Sequence, residues 1–175
     1  VKERKSKGAF YTPREIVHYM CQESLINYLS NETGIFYDDI EIFIKYGEII
    51  KDSDMNTYKK ESYKMPKVIV DNFETIDKAL ENVTIADPSV GSGAFPLGML
   101  NEIVKARSII TDYIYKNANE IDMFDNRSIY KLKKNTMKKS IFAVDIEPSA
   151  VDITKLRLWL SLVVDADKKT VNTLP

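Results

Sequence analysis

The sequence predicts an α/β fold in which two parallel strands and their helices form half of a doubly wound sheet, after an N-terminal helical portion. Three observations carry this prediction. Two short β-branched segments, residues 83–87 and 141–145, each end in an acidic residue. A glycine-rich stretch, residues 89–94, directly follows the first of them. Long segments with apolar residues at helical spacing follow both.

Composition indicates one soluble globular domain. The chain has 175 residues, of which 44% are hydrophobic and 29% charged, and its net charge of −1 excludes a polycationic nucleic-acid tail. A single Cys and a single His exclude a disulfide framework and a Cys/His zinc site, and we predict no metal. The longest apolar run, Leu158 to Val164, is too short for a membrane span. We expect a cytoplasmic protein without membrane contact, and a start at Val1 suggests a piece of a longer one.

The first helix is predicted from about Pro13 to Leu29. Thr12 can cap its amino end, Pro13 suits its first position, and Glu15 completes a capping box. Apolar residues then recur at helical spacing, namely Ile16, Val17, Met20, Cys21, Leu25 and Leu29.

The segment that follows carries no motif of its own. Helical spacing predicts a short helix over residues 38–50 and another over residues 68–80, with a polar surface stretch at 51–64 between them. With the first helix, these segments make up the helical portion, residues 1–82.

The core is predicted over residues 83–165. It begins with a strand at 83–86 and a helix from Phe95 to Lys116, and a second strand at 141–144 leads into a helix that Pro148 opens. Between the two halves lies a basic stretch, whose members are Arg127, Lys131, Lys133, Lys134, Lys138 and Lys139. A solvated helix face is favoured over contact with DNA phosphates, because a charge run alone says little.

The loop from Asp87 to Gly93 lies where a strand's carboxyl end meets a helix. Glycines there expose backbone N–H groups to a ligand, as dinucleotides and nucleoside-sulfonium cofactors require. No Gly-Lys-Ser/Thr follows, and Pro96 stands where the dinucleotide fingerprint needs its third glycine. The next strand-end acid, Asp145, comes 52 residues after Gly93 instead of about 20. Structural roles stay open, because Asp87 could stabilise the turn and Asp145 could cap the next helix.

Three blocks of the sequence resemble motifs of S-adenosylmethionine-dependent DNA adenine-N6 methyltransferases. They are Gly8-Ala-Phe-Tyr-Thr-Pro13, Ile85-Ala-Asp-Pro-Ser-Val-Gly-Ser-Gly-Ala-Phe95 and Val144-Asp-Ile-Glu-Pro-Ser-Ala-Val-Asp-Ile-Thr-Lys-Leu-Arg-Leu-Trp-Leu160. Their order resembles the gamma arrangement, and most of all the methylase part of type IIG restriction-modification enzymes. The resemblance implies a Rossmann-like methyltransferase fold, S-adenosyl-L-methionine as cofactor, and double-stranded DNA as the partner of the full-length protein.

The resemblance also implies which residues contact the methionine end of the cofactor. Phe10 and Thr12 would touch the methionine moiety, and Asp87 would face its ammonium group, directly or through water.

The remaining implied contacts lie along the loop and after the second strand. Ser89, Gly91 and Gly93 would let the cofactor lie along the loop. Asp145 would accept both ribose hydroxyls, and Ile146 would pack on the adenine ring. The sequence departs from the commoner pattern at Ser89, where alanine is usual.

The family's catalytic motif, Asn/Asp/Ser-Pro-Pro-Tyr/Phe, is absent from a sequence without consecutive prolines. In the family this motif binds the target amino group and stacks on the flipped base. We therefore expect the chain to be the N-terminal, cofactor-binding part of a longer enzyme that is active at full length. The chain itself is expected to carry no catalytic residues and to be inactive alone. Two alternatives are a nicotinamide oxidoreductase fragment, which the loop spacing disfavours, and a degenerate methylase-like module that binds DNA or protein.

A sheet of so few strands also predicts self-association. Unpaired N–H and C=O groups on an open edge, beside apolar surface, can pair with a second copy. We expect a dimer buried around the Val83–Ala86 edge and the Leu156–Val163 helix.

Overall fold

The computed structural model describes residues 12–55, 64–115 and 127–166, and for residues 54, 55 and 115 it describes the backbone only. Within these ranges the chain forms seven helices and two strands. They are α1 (Arg14–Thr33), α2 (Tyr37–Met55), α3 (Lys67–Asp71), α4 (Phe73–Asn82), β1 (Ile85–Asp87), α5 (Ala94–Tyr115), α6 (Ile129–Lys139), β2 (Ile141–Ala143) and α7 (Pro148–Val163). None of the described helices is long and apolar enough to cross a membrane.

The two strands form a small parallel sheet. Ile85 lies opposite Ile141 and Asp87 opposite Ala143, with α5 and α6 in the crossover between them. Parallel pairing places both carboxyl ends at the same edge of the sheet. The described chain is therefore mostly helical around two strands, and the larger Rossmann-like sheet that the resemblance implies remains a prediction.

The start of α1 differs from the expected capping box. Thr12 does not cap the helix, because Pro13 occupies the N-cap position with an extended backbone (φ −55°, ψ 146°) and no side-chain hydrogen bond caps α1 there. The Pro13 carbonyl accepts hydrogen bonds from the amides of Ile16 and Val17, each at 3.1 Å. The capping-box prediction is therefore wrong, although the helix itself forms where its apolar spacing placed it.

Two other boundaries differ from expectation. Residues 51–55, predicted as part of a polar surface stretch, continue α2. The helix expected over residues 68–80 is broken into α3 and α4 at Asn72, whose backbone leaves the helical region (φ −119°, ψ 18°). The Asn72 side chain donates to the carbonyl of Val68 at 2.8 Å, which is the competition with backbone hydrogen bonding that makes asparagine a helix breaker.

The main hydrophobic core lies among α1, α2, α4 and α5. Its fully buried side chains include Leu25, Phe43, Ile76 and Ile103, one from each helix. A smaller cluster of Leu100, Val104 and Leu132, with Leu158 packed against it, joins α5 to α6 and α7. Helix α5 takes part in both clusters and thereby ties the helical portion to the sheet.

A partly buried ionic network fixes α4 against α5. Asp77 accepts from Arg107 Nε at 2.9 Å and from both terminal nitrogens of Arg127 at 2.8 Å. Burial by itself would raise the pKa of Asp77, but the hydrogen bonds from Arg127 and Arg107 outweigh it and the pKa is lowered. The carboxylate therefore stays ionised at neutral pH and holds the helix that leads directly into β1.

The sheet leaves apolar surface open in the described chain. Strand β1 pairs only with β2 there, and a groove of about 390 Å³ lies between β1, α1 and the start of α5. Phe142 is exposed on β2 and Val144 directly after it, and Leu156 and Leu160 are exposed on α7. These are the features from which self-association is predicted.

We predict that the chain forms a dimer through the β1 edge and the exposed face of α7. Sedimentation velocity should show a concentration-dependent shift from monomer to dimer, and stability should rise with protein concentration. Replacing Leu156 and Leu160 by lysine should favour the monomer without lowering helix content. A clean monomer at high concentration, with stability independent of concentration, would contradict this prediction.

Candidate functional site

Backbone pairing continues beyond the strands and brings the glycine loop to the segment after β2. The amide of Val144 donates to the Asp87 carbonyl at 2.9 Å, and the amide of Val90 donates to the Val144 carbonyl at 3.0 Å. The amide of Gly91 then donates to Asp145 Oδ2 at 2.8 Å. The loop and the second strand-end acid, 54 residues apart in sequence, thus share one site at the carboxyl edge of the sheet.

The loop itself turns tightly. Asp87 Oδ1 accepts from the amide of Ser89 at 3.0 Å, and the amide of Gly93 donates to the Val90 carbonyl at 2.9 Å. Asp87 therefore stabilises the turn, which is one of the two roles open to it from sequence. Its other carboxylate oxygen makes no hydrogen bond with the described residues, so the ligand role stays available.

Gly91 and Gly93 have different structural roles. Both have positive φ, 54° at Gly91 and 79° at Gly93. A Cβ atom on Gly91 would meet none of the described residues within 4 Å, whereas one on Gly93 would lie 2.7 Å from Thr154 Oγ1. Gly91 thus leaves open space above the loop, and Gly93 is needed so that α7 can pack against it. The role that the resemblance implies for Ser89, Gly91 and Gly93, letting the cofactor lie along the loop, stays a prediction.

Side chains of helix α7 donate hydrogen bonds to carbonyl groups of the glycine loop. Thr154 Oγ1, on a side chain that is 4% exposed, donates to the Gly91 carbonyl at 3.2 Å. Arg157 Nη1 donates to the Ser92 carbonyl at 2.7 Å and contacts Ser92 Oγ at 3.3 Å. Sequence reasoning singled out neither Thr154 nor Arg157. The available signal was their spacing of three residues, which places both on one face of a helix.

Asp145 accepts hydrogen bonds from two backbone amides of the site and can still accept others from a ligand. Its Oδ1 accepts from the amide of Glu147 at 2.9 Å while its Oδ2 accepts from Gly91. These bonds, from Glu147 first and then Gly91, lower the pKa of Asp145, so the carboxylate is ionised at neutral pH. Each carboxylate oxygen offers two acceptor positions, so Asp145 can still accept from ligand hydroxyl groups. Its bond to Glu147 closes a local turn just ahead of α7, whose N-cap residue makes no side-chain capping hydrogen bond.

The remaining residues predicted to bind the cofactor make no hydrogen bond with the loop in the described structure. Ile146 follows Asp145 with a fully exposed side chain, at 101%. Thr12 is exposed ahead of α1, and no hydrogen bond joins it to the loop. Phe10 lies outside the described residues. The site as described thus consists of the loop, Asp145 and Ile146.

The groove between α1 and β1 opens beside Asp87 and Pro88 and is lined by Cys21 and Phe95. Burial, with a further contribution from Glu102, raises the pKa of Cys21 to about 11. The thiol is therefore protonated at neutral pH and packs as an apolar group instead of acting as a nucleophile. Among the residues described, no three His, Cys, Asp or Glu side chains cluster as a metal site would require.

The lysines of the basic stretch lie on α6, which leads into the amino end of β2, the sheet edge opposite the loop. Arg127 precedes this helix and belongs to the Asp77 network. Lys133 pairs with Asp165, and Lys139 pairs with Glu81 at 3.3 Å. The side chain of Lys133 is only 14% exposed, so part of the stretch is packed against the protein and is not a solvated face. Contact of the remaining lysines with DNA phosphates stays an open alternative.

We predict that alanine at the two glycines has unequal costs. Gly91→Ala should lower the free energy of unfolding by about 1 kcal/mol, the cost of a left-handed backbone for an L-residue. Gly93→Ala should lower it by about 3 kcal/mol, because its Cβ also overlaps Thr154. Urea unfolding of both variants measures the difference. Equal losses would show that α7 does not press on Gly93 as described.

Comparison with known proteins gives one informative similarity. No family model matches the chain, and no solved structure is significantly similar to it. The chain is 32% identical over 170 residues to a Methanocaldococcus jannaschii protein named "Putative type II restriction enzyme and methyltransferase RM.MjaORFECS2P". The match covers 95% of this chain and 13% of the relative, so the chain spans about an eighth of that protein's length. The similarity supports a relationship with restriction-modification methylases.

Proposed function

We propose that the chain is the S-adenosyl-L-methionine-binding part of a DNA adenine-N6 methyltransferase from a restriction-modification enzyme. The observation that carries the proposal is the hydrogen bond between the Gly91 amide and Asp145, which sets an ionised carboxylate beside a loop with open space above its backbone. The methylase-like relative supports the methyltransferase class. The three sequence blocks support adenine-N6 chemistry of the gamma, type IIG kind.

The chemistry of the residues fits this cofactor. Asp145 supplies acceptors for the two ribose hydroxyls, and the exposed Ile146 offers an apolar surface for the adenine ring. The free oxygen of Asp87 is an acceptor for the methionine ammonium group. When bound, the cofactor supplies a methyl group on a positively charged sulfur, which an amino nitrogen can attack. In this proposal the chain's own residues bind and orient that group.

The acceptor of the methyl group is proposed to be adenine in double-stranded DNA, bound by the full-length protein. Flipping the base and aiming its amino nitrogen are tasks of the Pro-Pro motif, which this sequence lacks. The proposed division of labour therefore leaves this chain with the cofactor and the rest of the enzyme with the base.

Two other functions make different predictions. A nicotinamide oxidoreductase fragment would bind NAD more tightly than S-adenosylmethionine. A degenerate methylase-like module would bind DNA or protein and give no cofactor affinity. Side-by-side titration with both cofactors and with duplex DNA separates the three.

We predict that Asp145→Ala weakens binding of S-adenosylmethionine about tenfold or more, because a charged acceptor for the ribose is lost. Isothermal titration calorimetry measures the dissociation constant. Asp152→Ala is the matched control, since it removes an exposed acid from the nearby α7 and should leave the constant unchanged.

An unchanged dissociation constant in Asp145→Ala would remove Asp145 from the site. A wild-type chain that prefers NAD would replace the proposed function with the oxidoreductase alternative.

We also predict that the 175-residue chain does not methylate DNA by itself. Transfer requires the target nitrogen to be held in line with the methyl group, and the residues that hold it are absent from this sequence. The measurement is incorporation of labelled methyl groups into duplex DNA by purified chain. Incorporation above a no-protein control would refute the prediction.

A further inference from the structure

Helix α7 holds two consecutive carbonyl groups of the glycine loop. Thr154 donates to the Gly91 carbonyl, and Arg157 donates to the Ser92 carbonyl. Both donors lie one turn apart on the face of α7 that meets the loop, and Gly93 lets that face approach because it has no Cβ.

The two contacts hold the two peptides on either side of Ser92. Thr154 holds the Gly91–Ser92 peptide, which carries the Ser92 N–H, and Arg157 holds the Ser92–Gly93 peptide, whose N–H donates to Val90. The peptide between Gly91 and Ser92 is trans, so its N–H is directed opposite to its C=O. Because Thr154 draws the Gly91 carbonyl toward α7, the Ser92 N–H is directed away from α7.

The Ser92 amide is also the loop N–H that makes no hydrogen bond with the described residues. The other loop amides already donate within the protein, namely those of Ser89, Val90, Gly91 and Gly93. No described residue accepts from the Ser92 amide. A ligand carboxylate or carbonyl on the side of the loop away from α7 can therefore receive it without competition from these residues.

We infer that Thr154 and Arg157 are positioning residues, which hold the Ser92 amide toward a bound cofactor without touching it. This inference rests on the proposed function for the identity of the cofactor. Helix α7 also begins three residues after Asp145, whose Oδ1 receives the amide of Glu147 at the helix N-cap. The same helix thereby sets both the loop and the carboxylate of the site.

The test combines four variants with two readouts. Arg157→Ala and Thr154→Val remove the two donors, while Thr154→Ser keeps the hydroxyl and Lys155→Ala changes an exposed neighbour on α7. The first readout is amide hydrogen exchange of the loop in the ligand-free chain, followed by NMR. The second is the dissociation constant for S-adenosylhomocysteine, by calorimetry.

We expect Arg157→Ala and Thr154→Val each to weaken binding about tenfold. Exchange of the Gly93 amide should speed up by a similar factor in both, while amides in the middle of α1 keep their wild-type rates. Thr154→Ser should restore binding to within about threefold of wild type, and Lys155→Ala should behave as wild type. Rescue by the hydroxyl separates positioning from a loss of packing.

Wild-type binding and exchange in Arg157→Ala and Thr154→Val would overturn the inference and leave the proposed function standing. Faster loop exchange in a chain whose wild type binds no S-adenosylhomocysteine would overturn the proposed function, and the cofactor role of these residues with it. A general rise in exchange across α1 would also overturn the inference, because the residues would then stabilise the fold as a whole.

Discussion

The parallel pairing of β1 with β2 is the constraint on which the rest of the structure depends. Its register sets Asp87 opposite Ala143, and the ladder continues through Val144, so that Gly91 meets Asp145. A slip of one residue would turn every side chain to the other face of the sheet and part the loop from its carboxylate. Each strand has only three residues, and an isolated pair of that length is marginal in water. The helices must therefore hold the register.

Helix α5 contributes most to holding the strand register, because it belongs to both hydrophobic clusters and begins where the glycine loop ends. The Asp77 network joins α5 to α4, which delivers the chain into β1. On the other side, α7 seals the loop through Thr154 and Arg157. The loop is thus held at its start by the strand, at its end by α5, and along its back by α7. No described residue covers its remaining face, over Gly91.

The sequence predicted the element order and the meeting of loop and acid, because both follow from local signals. β-branched runs that end in acids mark strand ends, and parallel strands bring those ends together. The structure differs where one residue outweighs a periodic pattern, as at Asn72, or where proline accepts an extended backbone, as at Pro13. The contacts of Thr154 and Arg157 with the loop span 63 and 65 residues, and no local pattern reports such a pairing. For the same reason the packing role of Gly93 was invisible from sequence.

The central claim is that the open face over Gly91, bordered by Asp145, receives an S-adenosyl nucleoside. The most direct test is a titration of the isotope-labelled chain with S-adenosylhomocysteine, followed by amide chemical shifts. The account predicts saturable shifts concentrated at Gly91, Ser92 and the amides following Asp145, with an equal excess of NAD moving them little. Shifts centred elsewhere, such as the groove between α1 and β1, or no saturable shifts at all, would contradict it.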